Sequence, residues 1–238
     1  MSSRWTIRHD SRLTLEYFMP QPLKIDFVSD IACPWCVIGL RGLQVALERV
    51  ADVVQAEIVF QPFELNPNMP AEGQNMAEHV AEKFGSSLEE SQAARTMIQA
   101  RAAAVGFDFN VSETSRMYNT FDAHRLLYWA NATGLQQPLK LALFKANFTD
   151  CNNLGDPDVL VAAAVAAGLD ATEARDILAT GRYAEEVRAA EQLWVARGIR
   201  SVPSIVINDK WLVTGGQPAD AFEQALRNIA ASQSEPVA

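Results

Sequence analysis

Cys33-Pro34-Trp35-Cys36 places two thiols at positions i and i+3. On a helix such positions share a face, so the sulfurs can join and separate as one small disulfide. An apolar run ending at Val28 comes shortly before them. Pro34 suits the first turn of a helix, where its missing N–H leaves no bond unmade. Free N–H groups and the helix dipole at such a start favour negative charge. The thiolate is the attacking species in disulfide exchange. Cys33, expected to be partly exposed, is therefore assigned as the nucleophile, and Cys36, one turn inside, as the resolving thiol. The competing readings are two structural cysteines or half of a zinc site. Zinc calls for two further ligands, but Cys151 stands alone and His9, His79 and His124 lack ligand spacing. Neither a bound cofactor nor a metal is expected.

A second element must face the thiols. Val202-Pro203 precedes the β-branched run Ser204-Ile205-Val206-Ile207. A proline at the head of a strand donates no N–H. Were its peptide cis, the Val202 main chain would be open to an added substrate strand.

The 238 residues carry a formal charge of −9 and only three cysteines. Three cysteines are too few for a disulfide framework in a chain this long. The negative balance argues against nucleic acid or an anionic membrane as partner. No apolar run is long enough to span a bilayer, and the charged N-terminal stretch lacks the apolar centre of a secretory signal. A cytoplasmic location is expected. The texture changes at Leu23, and Met19 is a candidate start. No Gly-x-Gly-x-x-Gly follows a strand, so no nucleotide site is expected.

Leu23 to Val28 reads as a buried strand, and Val37, Leu40, Leu43, Leu47 and Val50 as the apolar stripe of the following helix. Ala56 to Phe60 is a second strand, and strand–helix–strand implies a right-handed crossover with parallel pairing. From about Met76 to Arg197 the pattern is helical, with no strand signal. Ser87-Leu88-Glu89-Glu90 is a capping box there, and Asp156-Pro157 caps a later helix. Ser204–Ile207 and Trp211–Thr214 then form a hairpin, and a last helix carries Phe222, Leu226 and Ile229. The fold class is α/β, ordered β-α-β, helices, β-β-α: one sheet domain split by about 120–130 residues of helix. The expected division is 1–22, a poorly ordered extension; 23–70 and 198–231, the sheet domain; 71–197, the helical insertion; and 232–238, a tail.

These features together resemble a known family. Cys-Pro-Trp-Cys after a first strand, with Val-Pro before a hairpin, resembles a thioredoxin fold, and the helical block in its middle is similar to the DsbA type. Phe27 to Cys36, Phe63-Glu64-Leu65-Asn66-Pro67, Asn119 to Arg125, Val202-Pro203-Ser204 and Gly215-Gly216-Gln217-Pro218 resemble the cytoplasmic FrnE-like branch. The resemblance covers roughly residues 23–230. It implies a cis peptide at Pro203, facing the thiols, and redox exchange through Cys33 and Cys36. The same superfamily includes glutathione-dependent isomerases of hydroxychromene carboxylates and kappa-type glutathione transferases. Those generally carry serine where this chain has Cys33.

Pro34, Trp35, Val202, Asn119 and His124 are the expected substrate-binding residues. His124 has two readings: a donor lying over the thiols, or a helix histidine bonded within the insertion. Pro34-Trp35 puts no charge between the cysteines, so a moderate redox potential is expected, nearer reductase or isomerase than strong oxidase. The leading reading is a thiol–disulfide oxidoreductase acting on protein or small-molecule thiols, with glutathione as candidate co-substrate. The alternatives are a glutathione-dependent isomerase or transferase, and a holdase-like peptide binder. Cys151 is read as a free thiol.

Overall fold

The computed structural model describes residues 20–234. Strand β1 (Gln21–Ser29) buries Leu23, Ile25, Phe27 and Val28 and leads into helix α1 (Pro34–Arg49). α1 turns Cys36, Val37, Leu40, Leu43 and Ala46 inward, and β2 (Val54–Pro62) returns parallel to β1 with Phe27 opposite Phe60. Those two rings meet edge to face, with centroids 5.7 Å apart. Each buried ring of this size contributes about 1.5–3 kcal/mol.

The inserted block holds β3 (Gln74–Asn75), α2 (Met76–Phe84), α3 (Leu88–Ala104), β4 (Arg116–Met117), α4 (Phe121–Ala132) and α5 (Gln136–Phe144). A π-helical stretch (Lys145–Thr149) extends α5, and α6 (Pro157–Ala166), α7 (Ala171–Thr180) and α8 (Ala184–Ala196) follow. The Ser87 capping box is formed, with Ser87 Oγ accepting from Glu90 N and Glu90 accepting from Ser87 N. One expectation fails here. The block is not free of strands, because Gln74–Asn75 pairs antiparallel with Arg116–Met117. Two-residue strands leave no alternation to read, and this pair is held partly by Arg116 donating to the carbonyls of Glu72 and Gly73.

β5 (Ser204–Ile207) and β6 (Trp211–Thr214) complete a four-stranded sheet of order β2-β1-β5-β6, and α9 (Ala219–Ser234) packs on α1. Asn208 and Asp209 turn the hairpin with φ of 49° and 54°. Asn208 also exchanges hydrogen bonds with the Lys24 backbone, at 2.8 and 2.9 Å, which fixes β5 against β1. β1 begins at Gln21, inside the expected extension, whose residues 1–19 lie outside the described residues. α9 takes in 232–234 of the expected tail, and 235–238 are likewise outside.

The outer edge of β2 is closed by a side chain. Gln136, at the start of α5, accepts from Phe60 N at 2.9 Å and donates to Phe60 O at 3.0 Å. An amide thus replaces a neighbouring strand for one residue and pins the helical block to the sheet. Gln136→Ala leaves a buried N–H and C=O unmade. It should cost ~2–3 kcal/mol, read as a lower urea midpoint with unchanged slope.

Candidate active site

The loop between β1 and α1 is built around Asp30, whose side chain is 1% exposed. Its carboxylate accepts from Ala32 N (3.1 Å), Leu65 N (2.7 Å) and Thr120 Oγ1 (2.8 Å). His124 Nε2 stands 3.5 Å away, beyond good hydrogen-bond distance. The Asp30 carbonyl accepts from Cys33 N at 3.2 Å. One residue thus joins the thiol loop, the chain after β2 and the head of α4. Burial alone would push its carboxyl up. His124, Leu65 N–H and the Thr120 hydroxyl outweigh that and hold it below its ordinary value of 3.8.

Cys33 is the N-cap of α1, with φ −96° and ψ 112°, and Pro34 opens the helix. Cys36 N donates to Cys33 O at 3.0 Å. Both thiols are free. Cys36 is fully buried, and its thiol is held up well above 9.0 by that burial, then by its hydrogen bond to Cys33 and the Cys33 charge. The inner sulfur therefore keeps its proton at neutral pH. Cys33 itself is only 4% exposed, against the expectation of partial exposure. The reason is the facing loop, where the Cys33 thiol donates to Val202 O at 3.6 Å. The Val202–Pro203 peptide is cis, and Pro203 O accepts from Gly215 N at 2.8 Å.

Glycines allow this close approach. A Cβ on Gly216 would fall 2.8 Å from Trp35 O, and one on Gly39 would fall 3.0 Å from Gly216 Cα and 3.3 Å from Pro203 Cγ. The first turn of α1, the Pro203 loop and the Gly215-Gly216 turn therefore meet backbone to backbone. Pro34 and Trp35, next to Cys33 in the chain, remain half-buried.

The other expected binding residues sit elsewhere. The Asn119 amide donates to Glu64 Oε1 (3.1 Å) and Pro67 O (3.4 Å), and its oxygen accepts from Phe121 N (2.8 Å). It organises the entry to α4. His124 is 2% exposed, so its part in the site runs through Asp30 rather than through contact with substrate. Cys151 is an exposed free thiol with φ 52°. Sequence reasoning passed over Asp30.

The model of the DSBA-like thioredoxin domain matches residues 24–227. The chain belongs to that family. A crystal structure of a probable DsbA oxidoreductase from Streptomyces coelicolor is 36% identical, with a TM-score of 0.84, covering 91% of this chain and 93% of that one. An uncharacterized protein of Bacillus subtilis, YwbO, is 26% identical, covering 85% of this chain and 94% of its own. The cytosolic disulfide reductase DsbM of Pseudomonas aeruginosa shares the fold, with a TM-score of 0.62 at 15% identity, covering 88% and 99%. Members of this family thus include DsbA-type oxidoreductases, and the thiol pair of this chain lies in the matched segment.

Asp30 makes the site sensitive to acid. Its folded carboxyl ionises more readily than an unfolded one. Its contribution to stability is therefore full above the unfolded value and is withdrawn as pH falls through the folded value. Urea unfolding of the wild type should weaken steeply below about pH 4. Asp30→Asn should lose ~3 kcal/mol at neutral pH and show a shallower acid limb. Equal acid limbs in the two proteins would contradict this role.

Proposed function

We propose that the protein is a thiol–disulfide oxidoreductase working through Cys33 and Cys36, in the cytoplasm, as a reductase or isomerase rather than a strong oxidase. The observation that carries the reading is the thiol pair at the head of α1, the inner thiol fully buried and the outer one donating to the Val202 carbonyl. The Cys33 thiolate attacks one sulfur of a substrate disulfide, and the other leaves as a thiolate. Cys36 then attacks Cys33. The Cys33–Cys36 bond forms, the mixed disulfide breaks, and the substrate leaves carrying both electrons. Two molecules of a small thiol such as glutathione restore the dithiol and become its disulfide. DsbM, of the same fold, has been solved with glutathione, which supports that choice of thiol.

A substrate must reach a sulfur that is almost covered. The half-buried Pro34 and Trp35 and the Val202 carbonyl are the groups offered to it. An extended peptide that takes over the Val202 main chain would displace the Cys33 hydrogen bond and uncover the nucleophile.

Insulin reduction with glutathione as donor tests the reading. Cys33→Ser should lower the rate at least ~100-fold, to background. Cys36→Ser should accumulate mixed disulfides visible by non-reducing electrophoresis and mass. Full activity in the Cys33 variant would show that the nucleophile is wrongly assigned.

A further inference from the structure

Below Gln136, the outer edge of β2 is open. Phe60 turns its N–H and C=O away from β1, onto the Gln136 amide. Alternate residues of a strand face the same way, so Ala56 and Ile58 turn their main-chain groups to that side too. Those groups have no hydrogen-bond partner among the described residues. A cleft of about 470 Å³ runs along this stretch, between α1, Val105 at the end of α3 and Gln137 in the first turn of α5. Val45 and Leu47 of α1 give it an apolar wall, and Val45 is 39% exposed.

Arg41 is the cation of this cleft, and it is half-buried. Its Nε is buried without a hydrogen-bond partner, and its one bond is a long one, from Nη1 to Gln44 Oε1 at 3.3 Å. No carboxylate pairs with it among the described residues. Arg49, Arg182, Arg188 and Arg197 each hold one or more carboxylates. A guanidinium taken partly out of water with no anion beside it costs stability, so folding alone gives no reason for Arg41. α1 runs against the direction of β2. Arg41 therefore stands toward Ile58 and Phe60, and Glu48, the acid of the cleft, toward Ala56.

An open strand edge accepts an extended chain, which supplies the missing donors and acceptors. A chain added here cannot continue past Ile58, because Gln136 already holds the next outward position, Phe60. It has to stop at the level of Arg41. A chain that runs parallel to β2 and ends there carries a carboxylate, the group that Arg41 lacks.

We propose that this cleft binds the C-terminus of a partner protein. The last ~3 residues form a short strand parallel to β2 and exchange main-chain hydrogen bonds with Ala56 and Ile58. Their apolar side chains lie against Leu47 and Val105, and the terminal carboxylate takes the Arg41 guanidinium. The site is separate from the thiols, since Arg41 lies about 12 Å along α1 from Cys33.

The test is a nitrogen-15 NMR titration of the full chain with acetyl-Thr-Val-Thr-Val and its relatives ending in Ile, Leu or Phe, each as the free acid and as the C-terminal amide. The free acids should shift the backbone N–H signals of Ala56 and Ile58 and the Nε–H signal of Arg41, and at least one should bind ~10-fold more tightly than its amide. Arg41→Met should reduce that acid to the affinity of the amide while unfolding in urea at the wild-type midpoint or above, and Arg41→Lys should recover part of the difference. Cys33→Ser should bind the acids as the wild type does, so a failure of the redox reading leaves this one standing. Equal affinities for every acid and its amide, or no movement of the Ala56 and Ile58 signals with any peptide at ~1 mM, would overturn the proposal.

Discussion

The buried carboxylate of Asp30 is the interaction on which the rest depends. It is removed from water and repaid by donors from three separate segments: its own loop, the chain after β2, and the head of α4. A buried charge is tolerable only when its lone pairs are used, so those segments cannot drift without exposing it to a large penalty. The helical block is thereby tied to the thiol loop by electrostatics as well as by packing. Gln136 on the edge of β2 and Asn147 on the Ile31 carbonyl are further ties between the same two parts.

Within that frame the two sulfurs are made unequal. The outer one caps the start of α1 and lies against the Val202 carbonyl. The inner one is sealed in the core among Val37, Leu40 and Phe144 and keeps its proton. The facing wall is set by small residues. Gly39 on α1 and Gly216 beyond the hairpin bring Pro203 and Trp35 close, and a side chain at either position would have to displace backbone. The insertion thus does more than roof the site. It supplies one of the donors around Asp30, the Thr120 hydroxyl, together with the His124 contact.

Much of this was legible in the chain. The order β-α-β, helices, β-β-α can be read from apolar periodicity, and the thiol pair from spacing and the strand before it. Capping signals placed α3 and α6 because Ser87, Glu90 and Asp156 act on their immediate neighbours. What stayed hidden depends on contacts between distant segments. Asp30 looks like an ordinary loop acid until Leu65 and Thr120 are brought to it, and Cys33 looks exposed until Val202 closes over it. Asn119 and His124 were read as substrate contacts because of their segment. The structure gives one to the start of α4 and the other to Asp30. The short β3–β4 pair has no periodicity to detect.

The central claim is that Cys33 and Cys36 form one reversible redox couple. Equilibrating the protein in glutathione buffers of graded poise, then quenching, alkylating and weighing it, measures that directly. The account predicts that both thiols disappear together in a two-electron transition centred between about −270 and −180 mV. Both cysteines remaining alkylated at every poise would contradict the couple itself, and a midpoint near about −120 mV would contradict its reducing character.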